Sequence, residues 1–219
     1  MMKLVLLSLV LILISCKPVT DSCSNVQEQQ NTQSDTCKTD PPPLPDPVGE
    51  IPNEALIFNA SVVFTNFERE QEEKVHKALE IIKAVVASRE FRKRVYHFTY
   101  NGKQAFVDNQ GYSNEEIYQI LLNASEKLNP GIDHEMDLDL ELYYSYKKTV
   151  GYTYPSVMRI WMNTKYFNVY SPAEVAGNVF HEWTHKLGFT HDTQYSAARE
   201  ASVPYALGYL IRDLGKQYE

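Results

Sequence analysis

The stretch 171–191 constrains the fold of this chain more than any other. Ser171-Pro172-Ala173-Glu174 combines a capping hydroxyl, a proline fitted to the first turn and a glutamate that completes a capping box. The helix begun there should run to Leu187 and stop at Gly188, a residue suited to a left-handed C-terminal position. Ala176, Val179, Phe180, Trp183 and Leu187 recur at helical spacing and predict its buried stripe. His181 and His185 are four residues apart, so both imidazoles leave one face of the helix, one turn apart. Two metal ligands on one helix need that spacing. Gly188 lets the chain turn, and His191 can return to the same point.

Three neutral imidazoles hold a zinc ion and leave a position open for water. Glu182 lies beside them and is placed to reach that water rather than the metal. Zinc lowers the pKa of the water and polarises a carbonyl, and Glu182 takes the proton. The run His181-Glu182-Trp183-Thr184-His185-Lys186-Leu187-Gly188-Phe189-Thr190-His191 fits HExxHxxGxxH at every fixed position. It resembles the metzincin zinc peptidases.

The resemblance implies an α+β, zincin-like fold. Its plan is a mixed sheet with a long backing helix, then the active-site helix, then a small C-terminal lower half ending in a helix. It implies a zinc-dependent metalloendopeptidase acting on peptides or proteins. His181, His185 and His191 would be the metal ligands and Glu182 the general base. Asp192 follows directly, as in several metzincin families, which implies a hydrogen-bonding role in ordering the turn. In that plan an edge strand above the cleft holds extended substrate by backbone pairing, and 157–162 (VMRIWM) is the candidate.

One feature departs from the family. Metzincins carry a methionine turn beneath the zinc, and this chain has no methionine after Met162. Ser202-Val203-Pro204-Tyr205 resembles, loosely, the Ser-x-Met-x-Tyr pattern of astacins and serralysins, with Val203 at the methionine. In those families the tyrosine stabilises the tetrahedral oxyanion, which makes Tyr205 a candidate catalytic residue donating its hydroxyl. The opposing expectation is that Tyr205 merely packs at the start of a C-terminal helix over 206–216. Two other functions stay open: a zincin-like domain used for binding or adhesion with weak or no catalysis, and zinc hydrolysis of a non-peptide bond such as a cell-wall amide.

The N-terminus carries an address. Met1-Met2-Lys3 is a short positive start, and 4–14 is an apolar run broken only by Ser8. Eleven helical residues reach only about 16 Å, roughly half a bilayer core, so 1–15 reads as a signal peptide rather than a span. Leu13-Ile14-Ser15-Cys16 resembles the lipobox of bacterial lipoproteins, which implies export and lipidation of Cys16. Lys17 rather than Asp follows, which favours outer-membrane anchoring over inner-membrane retention. Residues 16–53 are polar and then proline-rich, a composition that does not bury enough apolar surface to order, and they read as a tether. Cys23 and Cys37 can pair there in an oxidising compartment.

The remaining 54–219 is the folded domain. The whole chain of 219 residues is 43% hydrophobic, enough for a real core, and its net charge of −7 argues against nucleic acid as a partner. Strands are expected over 56–64, 137–146 and 157–162. Helices are expected over 68–87, over 88–98 as a continuation or a second helix, and over 117–128 with Ser113 as a cap. His76, His97 and His134 stand in no ligand spacing and read as ordinary histidines.

Overall fold

The computed structural model describes residues 58–219, all within one compact unit. The expected signal peptide, Cys16, the Cys23 and Cys37 pairing and the tether lie outside the described residues. In chain order the elements are β1 (Asn59–Thr65), α1 (Arg69–Val86), α2 (Arg89–Tyr96), α3 (Asn114–Asn123), β2 (Glu135–Tyr143), β3 (Gly151–Thr153), β4 (Arg159–Asn163), α4 (Thr164–Phe167), α5 (Pro172–Lys186), α6 (Ala197–Glu200) and α7 (Val203–Gly215), followed by a 3₁₀ turn at Lys216–Tyr218.

The class is α+β with a mixed four-stranded sheet in the order β1-β2-β4-β3. β1 and β4 both run parallel to β2, and β3 is antiparallel to β4. β2 shows the period of a strand covered on one face: Met136, Leu138, Leu140 and Leu142 are buried, while Asp137, Asp139 and Glu141 alternate with them. The expectation that 157–162 forms the sheet edge is corrected. β4 occupies those residues but lies between β2 and β3, and β3 is the edge. Three residues are too few to display a two-residue period, so β3 leaves no pattern to read.

Helix α1 carries its expected stripe (Val75, Leu79, Ile82, Val86) into the core and packs on α5 and α7. Ser88 accepts from the Phe91 amide and starts α2 as a separate helix. Helix α3 has the expected Ser113 cap but ends at Asn123 rather than near 128, with Ala124 in the left-handed region. The chain turns there to send Glu126 inward, where its Oε1 accepts from Trp183 Nε1 (2.6 Å) and from the Asp137 amide (3.2 Å). Among the described residues no helix is long and apolar enough to cross a membrane.

Helix α5 is buried on nearly every side, not on one stripe. Its expected stripe is buried, and so are Glu182, Thr184 and Lys186. The reason is its position between α1, α7 and β3. The crossing of α5 and α7 is made by glycines. A Cβ on Gly177 would lie 2.7 Å from the Gly208 carbonyl oxygen, and one on Gly208 would lie 2.9 Å from the Gly177 carbonyl oxygen. Nothing bulkier than glycine lets the two backbones meet.

Candidate metal centre

Helix α5 starts and stops as its sequence dictates. Ser171 and Glu174 form a reciprocal capping box, and Pro172 occupies the first turn. Gly188 has φ +101°, beyond the reach of most side chains, and a Cβ there would strike the Lys127 side chain at 2.6 Å. The turn that follows brings His191 back to His181 and His185.

The three ligand atoms lie within 4.8 Å of one another, and the triad could hold a metal ion. The ring centroids are 5.2, 5.2 and 5.0 Å apart. Each ring is oriented from behind by a backbone carbonyl. His185 Nδ1 bonds the Phe189 oxygen (2.7 Å), and His191 Nδ1 bonds the Asp192 oxygen (2.9 Å). The His181 ring bonds the Pro204 carbonyl. A carbonyl oxygen only accepts, so Nδ1 of His185 and of His191 must carry a hydrogen, which leaves Nε2 as the atom to meet a metal. Metal-binding histidines are fixed in tautomer and orientation in this way. Burial, helped by the neighbouring imidazoles, pushes the His181 ring well below its ordinary pKa, and burial pushes His185 down to about 4. Both are neutral at neutral pH, as a ligand must be. The donor set therefore fits a divalent ion that accepts imidazole nitrogen.

Glu182 lines the same cavity as His181 and Tyr205, a space of about 610 Å³ between α5, α7 and the segment 148–151. Burial raises its carboxyl to about 8, with the Lys186 ammonium acting against the shift. A cation at the triad would favour the ionised form further. Gly151 makes room for it: a Cβ there would lie 3.0 Å from Glu182 Oε1 and 3.1 Å from Asn178 Oδ1.

Tyr205 stands on the first turn of α7, which begins at Val203 rather than 206. Its ring is 4.4 Å from that of His181 and 4.6 Å from that of His191. The Arg199 guanidinium covers it at 4.2 Å. Val203 and Ser202 are buried beside it. Asp192 acts in the turn as expected, its Oδ1 accepting from the Gln194 amide (2.9 Å) and its carbonyl from His191. The other histidines serve elsewhere: His76 packs on Phe64, His97 closes α2, and His134 bonds the Leu122 carbonyl.

Sequence reasoning missed three residues of this neighbourhood. Lys186 is 3% exposed, and its ammonium donates to Thr153 Oγ1 and to the carbonyls of Val157 and Arg159 at 2.6 and 3.2 Å. It ties the β3–β4 hairpin to α5, and burial lowers it to about 8. Gly151 and Arg199 sit on elements of three and four residues, too short to show a period. The single available signal was a lysine at a position of α5 that the capped-helix pattern does not turn to solvent. Comparison of the chain with protein-family models and with curated proteins finds no match.

Proposed function

We propose that this chain is a zinc-dependent metallopeptidase of the metzincin type. The observation that carries the reading is the orientation of the triad. Each imidazole is bonded to a backbone carbonyl, and the ligand atoms converge within 4.8 Å beside a buried carboxylate. Three imidazoles with an adjacent glutamate suit catalytic zinc. The mixed sheet, the long α1, the capped α5 and the terminal α7 are compatible with the zincin plan.

Zinc held there supplies Lewis acidity toward water and toward a carbonyl oxygen. Glu182 takes the proton of the attacking water at a carboxylate oxygen and delivers it to the leaving amine. Tyr205 donates its hydroxyl to the oxyanion that develops on the carbonyl. Extended substrate pairs with the outer edge of β3, which lies against Glu182 through Gly151. Val203 supplies the apolar packing that methionine gives elsewhere. Residues 16–53, lipidated at Cys16, would tether the domain to the outer membrane after export.

The test is metal analysis together with peptide-library cleavage read by mass spectrometry. Glu182→Ala should keep one zinc per chain and lose hydrolysis, whereas His185→Ala should lose both. Tyr205→Phe should keep zinc and lose turnover on the order of a hundredfold, the usual cost of an oxyanion donor. Equal loss of metal in Glu182→Ala and His185→Ala would contradict the assigned roles.

A further inference from the structure

The cavity beside the triad is lined by three cations whose donors are only partly matched within the protein. The Arg199 side chain is only 20% exposed, and its Nε is buried with no hydrogen-bond partner. Its nearest carboxylate, Glu200, stands 4.0 Å from Nη1, beyond a hydrogen bond, and Glu200 bonds the Tyr209 hydroxyl instead. Leaving the buried Nε donor unmatched out of water is costly. Arg212, one helical turn beyond Gly208, lies 4.8 Å over the Tyr209 ring and gives its Nε to Asp213 (2.9 Å). Among the described residues its terminal nitrogens have no hydrogen-bond partner. Lys148 adds a third positive charge from the facing wall. Of the two carboxyl groups in the lining, Glu174 caps α5 through Oε2, and Glu182 sits at the triad end of the cavity, beside Gly151.

We infer that this cavity is a recognition subsite for a substrate carboxylate, and that Arg199 and Arg212 determine that specificity. A carboxylate is planar, carries two acceptors and matches the guanidinium fork. It also supplies an acceptor to the Arg199 terminal nitrogens, whose nearest carboxylate, Glu200, stands at 4.0 Å from Nη1. Such a group comes from an acidic side chain next to the bond cleaved or from the C-terminus of the substrate. The inference rests on the peptidase reading for where the substrate lies, but the cation pair binds a carboxylate whether or not cleavage follows.

The experiment uses labelled peptides that differ only in Glu against Gln at one position, each with a free and an amidated C-terminus. Equilibrium binding is read by fluorescence anisotropy on the zinc-loaded full chain carrying Glu182→Gln. Cleavage is read as kcat/KM on the unsubstituted chain. The Glu peptide should bind and be cleaved about tenfold or more better than the Gln peptide, the scale of a hydrogen bond to a charged group. Arg212→Gln should bring that ratio close to one, Arg212→Lys should keep part of it, and Arg212→Glu should reverse it in favour of the Gln peptide. Selectivity that vanishes on amidation, and not on Glu→Gln, assigns the site to the substrate terminus. Equal binding across all four peptides overturns the subsite, even where cleavage depends on Glu182 and the peptidase reading stands. Selectivity unchanged in Arg212→Gln overturns the assignment of Arg212. Acid-selective binding by a chain that cleaves nothing keeps the subsite and overturns the peptidase reading. The Glu/Gln ratio on unsubstituted residues of the subsite needs no folded Arg212 variant.

Discussion

The metal-facing side of α5 and the side turned to Glu126 and the β3–β4 hairpin are assembled from different sources. On the first, His185 and His191 take their orienting carbonyls from Phe189 and Asp192, four residues and one residue away. On the second, Trp183 finds Glu126 across 57 residues, and Lys186 finds Thr153 across 33. The His185 and His191 part of the first side forms once the helix and its following turn exist, while the His181 ring takes its carbonyl from Pro204 in α7. The second exists only after β2, the hairpin and the turn behind α3 have docked. Their charges differ as well. Burial holds the His181 and His185 rings neutral, whereas the second side buries an ammonium and a carboxyl whose Oε2 has no partner. Local spacing thus builds the chemical face, and long-range polar contacts hold it against the rest of the domain.

The largest stability effect should come from Lys186→Met. Methionine keeps the packed stem but leaves Thr153 Oγ1 and the Val157 carbonyl without the ammonium, and the Arg159 carbonyl with the Thr153 hydroxyl alone. Unfolding by urea should show a loss of about 3 kcal/mol, the sum of several unsatisfied acceptors. Metal per folded chain should stay at the unsubstituted value. Metal loss as complete as in His185→Ala would mean that the two sides are not independent.

Gly177→Ala should come next, at about 2 kcal/mol, because its Cβ meets the backbone oxygen of Gly208 at 2.7 Å and Arg212 Cβ at 2.8 Å. Backbone cannot step aside as a flexible side chain does, so α7 must shift, and Tyr205 shifts with it. Turnover should therefore fall further than zinc content does. A variant that loses zinc and turnover in equal proportion would place the support of the triad in α7 rather than in the local turn.

What was legible in the sequence follows the same division. The capping box at Ser171, the stop at Gly188 and the three histidines are written in short spacings, and the structure brings them together as expected. The alternation of β2 and the long α1 were legible from periods that run over many residues, whereas the mixed sheet was expected only from the metzincin resemblance. The edge strand was not, because Gly151–Thr153 is shorter than its own signal, and β4 took its place in the expectation. The end of α3 was misplaced because Pro130-Gly131 looks like a stop, while the real end is set by Glu126 turning toward a tryptophan far along the chain. The nearness of Tyr205 to the triad depends on two glycines meeting across a helix crossing, which no single segment encodes.

The smallest effect, and the one that bears most directly on the second side, is the pH dependence carried by Glu126. Burial lifts its carboxyl above the ordinary carboxylate range, although the Trp183 indole and the Asp137 amide donate to it. In the unfolded chain the proton leaves at the ordinary value, and in the folded chain it is held to higher pH. Between those two values the unfolded state binds fewer protons, so stability falls as pH rises through the window, and the loss is complete above the folded value. Glu126→Gln keeps an oxygen for Trp183 and has no proton to lose. Its net change in stability should stay within about 1 kcal/mol, but its pH slope should differ. Urea unfolding of the metal-free chain from the carboxylate range to neutrality, with and without the substitution, isolates that slope, because every other titrating group is common to both curves. The difference, glutamine form minus glutamate form, should rise with pH. A flat difference would show that the carboxyl titrates alike in the folded and the unfolded chain. The two sides of α5 would then differ in the sequence distance of their partners but not in how their charges are held.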